Sequence, residues 1–506
     1  MPSGIPCRSI FQPKHFWSRG LRLIDLLPRE VSQVNLAVEL RETEITGLTA
    51  DSRAVEPGFL FAALPGSAVD GRIFIGAAIS KGAAAVLAPE GTDIANDNVA
   101  LVTSKDARAS LAHIAATFYA HQPETIAAVT GTNGKTSVAH FTRQIWSMLG
   151  HRAIAMGTLG MQMPDGNIKK SLTTPDPVTL HIDLAALALE GVDHAIMEAS
   201  SHGLKQRRLD GVRLRAAAFT NLSRDHLDYH HTIEAYWQTK ARLFNELLPA
   251  DGIAVLNADV PETAALADAF KGEVLSYGQG GKELNLQMAE PSQNGTRIAL
   301  NALGHQTDIN LSLIGAFQVY NVLCAAGIVI ACGETHERVI GCLQNLKAVP
   351  GRLERAGSAR GGSVYIDYAH TPDALKNILN AIRPHTTGRL IVVFGCGGDR
   401  DRGKRPLMGQ IANNLADIIV VTDDNPRSEN ADTIRSEILA DAPDIHNIGD
   451  RETAIREAVS ILSEGDTIVI AGKGHETEQI VGSQTRPFND LLVARTAIAE
   501  RDGVIS

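Results

Sequence analysis

Short apolar runs alternate with helical stretches through the middle of the chain. Strand-like runs occupy residues 126–129, 194–200, 216–223 and 252–258. The stretch after the first run carries apolar residues on a helical spacing and ends at Gly150. Strands that alternate with helices predict a parallel sheet, with the functional loops at the carboxyl ends of its strands.

The same alternation continues on both sides of this central part. Before it, the pattern predicts a strand at 59–64 and then a helix and a strand over 77–89. After it, four further strands are predicted at 363–369, 389–395, 417–424 and 466–472.

We therefore predict an α/β protein of three domains, as a chain of 506 residues allows. A small N-terminal α/β domain is expected at 21–122 and a central parallel-sheet domain at 123–348. A Rossmann-like domain with a doubly wound sheet is expected at 349–506. Residues 1–20 are interpreted as an N-terminal extension, because they lack the continuous apolar segment of a signal peptide.

Composition narrows the possible functions. The net charge of -10 argues against a nucleic-acid-binding surface, because phosphate backbones select basic surfaces. The five cysteines are scattered, and free thiols in a reducing compartment are expected. No apolar run approaches the roughly 20 residues that span a bilayer. We therefore expect a cytoplasmic protein that does not insert into membranes.

The most specific local motif is a phosphate-binding loop that follows the strand at 126–129. Glycines allow backbone N–H groups to converge on phosphate oxygens, the following helix start adds positive potential, and a lysine adds charge. A threonine hydroxyl after the lysine can ligate Mg²⁺. Val129 stands where the common motif has glycine, so this is a tighter variant. The predicted ATP-binding residues of this loop are Gly131, Thr132, Asn133, Gly134, Lys135, Thr136 and Ser137.

Two residues at neighbouring strand ends are candidate metal ligands. Glu198 ends the strand-like run at 194–200, and His226 follows the run at 216–223. Mg²⁺ prefers oxygen ligands and tolerates an occasional imidazole. The alternatives are a helix cap or ion pair for Glu198 and a helix-capping role for His226.

Seven motifs then show a specific resemblance. They are GTNGKTS at 131–137, MEASSHGL at 197–204, NLSRDHLDYH at 221–230, DYAHTPD at 367–373, FGCGGDRDRGKRP at 394–406, DDNPR at 423–427 and AGKGHE at 471–476. In this order they resemble the Mur ligase family, over residues 48 to 495. Within the family, the chain is most similar to the members that add diaminopimelate.

The resemblance implies an ATP-dependent, ADP-forming amide ligase of peptidoglycan precursor synthesis. It would join meso-2,6-diaminopimelate to UDP-N-acetylmuramoyl-L-alanyl-D-glutamate through an acyl phosphate, with Mg²⁺ as cofactor. Separately, we expect the protein to be a monomer. Lys135, Lys240 and His226 would act in catalysis. Lys240, as a carbamate, would join Thr136, Glu198 and His226 as a metal ligand, although the residues alone indicate a solvated helix lysine.

The resemblance also implies the substrate contacts. Asn321 would contact the ATP base, and Gln318 stands where relatives usually have Asn. The UDP-peptide would meet Ser52, Thr173, Thr174, Ser200, Gln206 and Arg208. Diaminopimelate would meet Arg400, Asp424, Asn425, Pro426, Arg427, Gly472 and Glu476. A guanidinium such as Arg427 can hold the distal carboxylate with two hydrogen bonds.

Four alternatives remain open at this point. A sister ligase would add L-lysine at the same step, and another would add glutamate to folate. A nucleotide-driven motor or switch would hydrolyse ATP without a peptide substrate. A catalytically inactive binding module would have lost the lysines or the metal ligands, which this chain retains.

Overall fold

The computed structural model describes residues 20–28, 38–66, 69–292, 295–440 and 446–502. The predicted extension at 1–20 lies almost entirely outside the described residues. The described part folds around three main sheets, so the predicted α/β class with three sheet-based units is confirmed. The domain boundaries at 122/123 and 348/349 stay predictions.

The N-terminal unit is built on a four-stranded parallel sheet in the order β3-β4-β5-β6. Leu111, Ile114 and Phe118 share a buried core with these strands. A 3₁₀ turn occupies Gly71–Phe74. The other elements, in chain order, are β1 (Leu21–Arg22), α1 (Leu23–Leu26), α2 (Val38–Arg41), β2 (Glu44–Ile45), β3 (Gly47–Thr49), β4 (Phe59–Ala62), α3 (Ile75–Ser80), β5 (Ala85–Pro89), β6 (Ala100–Ser104) and α4 (Ala107–Tyr119).

The central unit contains an eleven-stranded sheet in the order β10-β9-β8-β11-β7-β12-β13-β14-β15-β16-β17. A π-helical turn at Leu243–Leu247 extends α9. The elements are β7 (Thr125–Thr130), α5 (Lys135–Met148), β8 (Ala153–Gly157), β9 (Gly160–Gln162), β10 (Ile168–Lys169), α6 (Pro177–Leu189), β11 (His194–Glu198), α7 (Ser201–Lys205), β12 (Ala216–Phe219), α8 (Leu227–His230), α9 (Ile233–Arg242), β13 (Ile253–Asn257), α10 (Glu262–Ala269), β14 (Glu273–Gly278), β15 (Leu284–Ser292), β16 (Gly295–Ala302), β17 (His305–Leu311), α11 (Ala316–Ala331) and α12 (His336–Leu343).

The strands from β8 to β14 in the middle of this sheet run parallel, as predicted. Antiparallel strands at both edges were not predicted: β9 and β10 at one edge, β16 and β17 at the other. The buried residues Leu284, Ile298 and Leu311 of the second edge share one core with α11 and α5. The edge strands therefore enlarge the layer on which the helix of the phosphate loop packs.

The C-terminal unit holds a six-stranded sheet in the order β18-β19-β23-β20-β21-β22, parallel except for β18. A 3₁₀ turn occupies Arg383–His385. The elements are β18 (Glu354–Ala359), β19 (Gly362–Asp367), α13 (Pro372–Ile382), β20 (Leu390–Phe394), α14 (Lys404–Leu415), β21 (Ile418–Val421), α15 (Ala431–Leu439), β22 (His446–Asn447), α16 (Arg451–Ser460), β23 (Thr467–Ala471), β24 (Glu478–Val481), β25 (Gln484–Pro487) and α17 (Asp490–Arg501).

The helix that follows Thr173 and Thr174 is capped within the chain. Helix α6 begins at Pro177, and the Asp176 carboxylate accepts hydrogen bonds from the N–H groups of Val178 and Thr179. The two threonines therefore contribute their side chains rather than a helix end to any site.

Candidate active site

A cavity of about 940 Å³ opens at the carboxyl ends of β7, β11 and β12 and reaches the loop after β19. It therefore lies between the central and the C-terminal sheet. The predicted site residues that line it are Thr132, Asn133, Gly134, Lys135, Thr136, Ser137, Thr173, Thr174, Glu198, Ser200, Gln206, Arg208, His226, Lys240 and Asn321.

The phosphate loop forms the floor of this cavity. Gly131 and Gly134 have positive φ values of 142° and 89°, which residues with a Cβ rarely adopt. A Cβ at Gly131 would also overlap the Thr220 hydroxyl. Lys135 Nζ donates to the carbonyl oxygens of Gly131 and Thr132 at 2.9 and 2.8 Å. Burial lowers the pKa of Lys135, and the Glu198 and Asp225 carboxylates oppose this shift.

The Asn321 side chain closes one end of the loop. A Cβ at Gly134 would overlap its Oδ1, so the loop and α11 approach closely. Gln318 is buried and its Oε1 accepts from Asn321 Nδ2 at 3.0 Å. The unusual glutamine therefore holds the predicted base-contacting asparagine in place.

Glu198 is a buried carboxylate at the end of β11, with 1% of its surface exposed. It accepts hydrogen bonds from the backbone N–H of Thr158 at 2.9 Å and from the Thr158 hydroxyl at 3.1 Å. Both donors are neutral. This arrangement differs from the alternatives of a helix cap or an ion pair.

Lys240 is buried to 1% exposure, which contradicts the alternative of a solvated helix lysine. Its Nζ donates to the Gly131 carbonyl at 2.7 Å and lies 4.3 Å from the centre of the Tyr236 ring. Burial, reinforced by the Lys135 charge, lowers the pKa of Lys240 well below its usual value. The site thus favours a neutral amine beside the phosphate loop.

His226 adopts a left-handed backbone conformation, φ 53°, just before α8. Its Nε2 lies 3.4 Å from an Asp225 carboxylate oxygen, and its ring contacts the His202 ring at 5.0 Å. Burial lowers the pKa of His226, and the nearby Asp225 carboxylate opposes this. The imidazole is therefore neutral near pH 7, as a metal ligand must be.

Hydrogen bonds connect the predicted peptide contacts to Glu198. Arg208 donates to the Thr174 carbonyl at 2.6 Å and to Gln206 Oε1 at 2.8 Å. The Thr174 hydroxyl donates to the Glu198 carbonyl at 2.9 Å and lies 3.0 Å from the Ser200 hydroxyl. These side chains form one network along the cavity wall.

The two remaining members of the predicted set differ in position, since Thr173 lines the cavity and Ser52 does not. The Thr173 hydroxyl lies 3.3 Å from the Thr158 hydroxyl, which binds Glu198. Ser52 is not in the cavity: it lies in a turn after β3, where its carbonyl accepts from Lys81 Nζ at 3.0 Å. Ser52, a predicted UDP-peptide contact, therefore lies in the N-terminal unit.

The seven predicted diaminopimelate contacts lie on three loops at the carboxyl ends of β20, β21 and β23. Asn425 Nδ2 donates to Glu476 Oε2 at 2.9 Å, and Arg427 donates to the Gly398 carbonyl at 2.8 Å. A Cβ at Gly472 would approach the Asp424 carboxylate, and one at Gly397 would approach both Arg427 and Arg400. The loops thus meet closely, with Pro426 buried between Asn425 and Arg427.

These seven residues do not line the large cavity, but Tyr368 links the two places. Tyr368 lines the cavity, and its ring centre lies 5.1 Å from that of His475 in the AGKGHE loop. Burial raises the pKa of Tyr368, and the Glu476 carboxylate raises it further. The carboxylate of the predicted amine site is therefore near the cavity wall.

Sequence comparisons match all three units to one family. Residues 44–119 match the Mur ligase family catalytic domain, 129–329 the Mur ligase middle domain, and 351–474 the Mur ligase glutamate ligase domain. The chain belongs to the Mur ligase family.

Curated Mur ligase relatives cover most of the chain. It is 50% identical over 464 residues to the UDP-N-acetylmuramoyl-L-alanyl-D-glutamate–2,6-diaminopimelate ligase of Mesorhizobium japonicum, covering 91% of this chain and 96% of that protein. The identity to the ligase of that name from Caulobacter vibrioides is 53%, covering 90% and 95%. The predicted family and enzyme class are confirmed.

A solved structure of a ligase of the same name superposes with a TM-score of 0.69 at 31% identity. The match covers 95% of this Mur ligase and 99% of that chain. The Mycobacterium tuberculosis folylpolyglutamate synthase complexed with ADP and AMPPCP has a TM-score of 0.59 at 22% identity, covering 72% and 92%. This second likeness shows a shared fold.

Sequence reasoning missed several residues of this Mur ligase site. Arg352 NH2 approaches the Thr136 hydroxyl at 3.4 Å, and its guanidinium lies 4.4 Å from the centre of the Tyr368 ring. Asp373 Oδ2 accepts from Asn133 Nδ2 at 3.2 Å across the two sheets. Asp373 stands in the DYAHTPD motif, which signalled its place, whereas a lone Arg after Gly351 gave no signal.

The donor set at the predicted metal site fits Mg²⁺. Thr136 offers a hydroxyl and Glu198 a buried carboxylate that contacts neutral donors, and both line the same cavity. His226 adds an imidazole there. An unmodified lysine amine is a poor Mg²⁺ ligand, so Lys240 fits only as an oxygen donor, that is, after carbamylation.

Proposed function

We propose that this Mur ligase joins meso-2,6-diaminopimelate to UDP-N-acetylmuramoyl-L-alanyl-D-glutamate at the expense of ATP. The observation that carries the proposal is the single cavity in which the phosphate loop, Glu198 and Lys240 meet groups of the C-terminal sheet. The names of the relatives at about 50% identity support the substrates. The reaction belongs to peptidoglycan precursor synthesis.

The first step activates an unreactive acid. A carboxylate resists attack by an amine because its charge repels the nucleophile and oxide is a poor leaving group. We place the D-glutamate side-chain carboxylate near the network of Thr174, Ser200 and Arg208. Its oxygen attacks the γ-phosphorus of ATP, the bond to the bridging oxygen breaks, and ADP leaves. Lys135 stabilises the negative charge that spreads over the transferred group.

Four groups of this chain would hold Mg²⁺ beside the phosphates: Thr136, Glu198, His226 and carbamylated Lys240. When bound, the ion would neutralise phosphate charge and orient the phosphoryl group. Carbamylation requires a neutral amine, because the nitrogen lone pair attacks carbon dioxide and then releases a proton. The lowered pKa of Lys240 supplies this state.

The second step forms the amide bond. The diaminopimelate amine, once deprotonated, attacks the acyl carbon, and the tetrahedral intermediate expels inorganic phosphate. Arg427 would hold the distal carboxylate, and Glu476 would accept hydrogen bonds from the distal ammonium. L-lysine lacks that carboxylate and would leave the guanidinium without its partner.

Isotope labelling of the D-glutamate carboxylate oxygens tests the acyl phosphate. With ATP, diaminopimelate and a UDP-dipeptide labelled with ¹⁸O in the D-glutamate side chain, one labelled oxygen is expected in the released phosphate. Mass spectrometry measures both products. Unlabelled phosphate during amide formation would exclude the acyl phosphate, and ATP hydrolysis without any peptide product would favour the motor or switch reading.

A competition between diaminopimelate and L-lysine tests the amine. Diaminopimelate is expected to be the preferred substrate in wild type, and Arg427→Ala is expected to lose this preference while keeping its ATP affinity. Arg383→Ala, which removes a surface ion pair with Asp417 in the same unit, is the matched control. Preference for L-lysine in wild type would identify the sister ligase.

The setting of the enzyme is part of the proposal. Among the described helices, none is long and apolar enough to span a bilayer. We place the reaction in the cytoplasm, where ATP and nucleotide-linked precursors are available, and propose a monomer.

A further inference from the structure

A cluster of metal-ligating side chains lies at the opposite end of β11 from Glu198. His194 begins this strand, Asp193 precedes it, and His151 precedes the neighbouring strand β8. The two strands are parallel, with His194 opposite Ala153. The cluster is therefore about 13 Å along the strand from Glu198 and separate from the cavity.

The cluster is compact. The ring centres of His151 and His194 are 3.9 Å apart. His194 Nδ1 lies 2.8 Å from an Asp193 carboxylate oxygen. One candidate ligand atom from each of these three residues lies within 4.8 Å of the other two. A cation at bonding distance from all three needs only side-chain adjustments.

Neighbouring residues hold these side chains in place. His151 Nε2 lies 2.7 Å from Glu334 Oε1, while Arg338 binds the other Glu334 oxygen. The His194 ring packs edge-on against the buried Trp146 ring at 5.0 Å. A carboxylate that binds the second nitrogen of a histidine is the usual support of a metal-ligating imidazole, because it orients the ring and raises its basicity.

The electrostatics of the cluster suit a cation. Asp193 and Glu334 supply negative charge. Asp193 keeps 38% and His151 26% of its side chain exposed, so an ion can enter from solvent.

We propose that His151, Asp193 and His194 bind a divalent cation of the Zn²⁺ class, with Glu334 supporting His151. Two imidazoles and one carboxylate match the ligand preference of Zn²⁺ and of the neighbouring transition metals, whereas Mg²⁺ and Ca²⁺ prefer oxygen ligands. The ion would join the loop after α5, the start of β11 and the segment after α11. The phosphate loop leads into α5, and Asn321 lies on α11. The ion would therefore stabilise the helices that position the predicted ATP site.

The experiment measures Zn²⁺ binding to the full chain, stripped with a chelator and kept in excess Mg²⁺ so that the oxygen-rich site is occupied. Isothermal titration with Zn²⁺, and elemental analysis after gel filtration, are expected to show about one ion per chain. The midpoint of thermal unfolding is expected to rise with the Zn²⁺ concentration, because the ion binds the folded state.

Three variants locate the ion. The His151→Ala/His194→Ala double variant is expected to lose this binding, and Glu334→Gln to weaken it by about 10- to 100-fold. The matched control is His305→Ala/His336→Ala, which removes another, more exposed group of candidate ligands, two tilted imidazoles with ring centres 4.8 Å apart beside Glu337. This control is expected to bind Zn²⁺ like wild type.

Several results would overturn the proposal. Failure of the wild-type chain to retain Zn²⁺ is one. Equal retention by the His151/His194 variant, or loss of binding only in the His305/His336 variant, is another. Should the first double variant fail to fold by circular dichroism, wild type loaded with Co²⁺ decides: visible absorption bands of a low-symmetry nitrogen-ligated ion support the site, and the spectrum of the hydrated ion refutes it.

Discussion

At the scale of single residues, Lys240 shows how strongly an environment can change a side chain's chemistry. In the sequence it is one lysine of an amphipathic helix, and only the family resemblance singled it out. In the fold it is buried beside Lys135 and the Gly131 carbonyl. Burial, and after it the repulsion between two adjacent ammonium groups, favours the neutral amine, which makes the carbamate accessible.

Replacing Lys240 by Met should lower kcat by at least about 100-fold, because the carboxylate-like group beside the phosphates is lost. Lys240→Glu carries a carboxylate on a side chain too short to reach the position of the carbamate, so it should not recover the rate. Steady-state kinetics measure both variants. Nearly wild-type activity of Lys240→Met would show that no carbamate is needed.

His140 on α5 gives a prediction for pH. Burial lowers its pKa to about 3, and the charge of Arg143 contributes. The unfolded chain therefore takes up a proton below about pH 6.5, whereas the folded chain does not, and stability is lost as the pH falls from there toward 3. His140 alone is expected to lower the free energy of unfolding by about 2 kcal/mol between pH 6.5 and pH 5.

Urea unfolding of wild type and His140→Gln at several pH values measures this contribution. The variant is expected to show a correspondingly smaller decrease in unfolding free energy between pH 6.5 and 5. Other buried histidines also make the unfolding free energy fall with pH, in both proteins alike. His181, whose pKa burial lowers to about 4, is one of them. If the unfolding free energy falls equally with pH in the two proteins, the assignment to His140 is wrong.

At the scale of elements, the loops after β21 and β23 depend on a fully buried lysine. Lys473 Nζ donates to Asn425 Oδ1 at 3.1 Å and to Glu476 Oε2 at 2.9 Å. Asn425 Nδ2 binds the same Glu476 oxygen. Lys473 thus aligns two predicted diaminopimelate contacts, and the AGKGHE motif alone did not reveal this role.

Lys473→Met should therefore raise the KM for diaminopimelate by about 10- to 100-fold, the range expected for lost hydrogen bonds to a charged group. The KM values for ATP and the UDP-dipeptide should stay near wild type. Asp466→Asn is the control, since it weakens a buried contact with Arg389 near the amino end of β23 in the same unit. An equal rise in KM for all substrates would indicate a purely structural role.

At the scale of the whole molecule, the predicted ATP site lies between two sheets. Arg352 comes from the segment before β18 and approaches Thr136 of the phosphate loop. Asp373 at the start of α13 binds Asn133 of the same loop. The position of the C-terminal unit therefore determines whether Arg352 places its positive charge beside the phosphate loop.

Arg352→Ala should lower kcat/KM for ATP by about 100-fold or more, because a cation near the transferred phosphoryl group is removed. Binding of the UDP-dipeptide, measured by calorimetry, should change little. Arg383→Ala removes a guanidinium from the surface of the same unit and should leave both values unchanged. An unchanged rate in Arg352→Ala would exclude a role for this arginine in phosphoryl transfer.

The sequence by itself determined the local elements and the phosphate loop. Hydrophobic periodicity located parallel strands in each of the three sheets, since a buried strand must be apolar along its length. It did not locate β3, β6, β8, β14 or β22. The GTNGKTS segment identified its own turn because only glycine readily adopts the backbone angles of Gly131 and Gly134.

Tertiary structure decided everything that depends on distant segments meeting. The sequence pattern did not predict the edge strands of the central sheet, because many of their residues face solvent. Their buried residues pack on α11, which is distant in the chain. The burial of Lys240, the approach of Arg352 and the alignment by Lys473 were hidden for the same reason. Burial and charge proximity join residues far apart in the chain, and a linear pattern records neither.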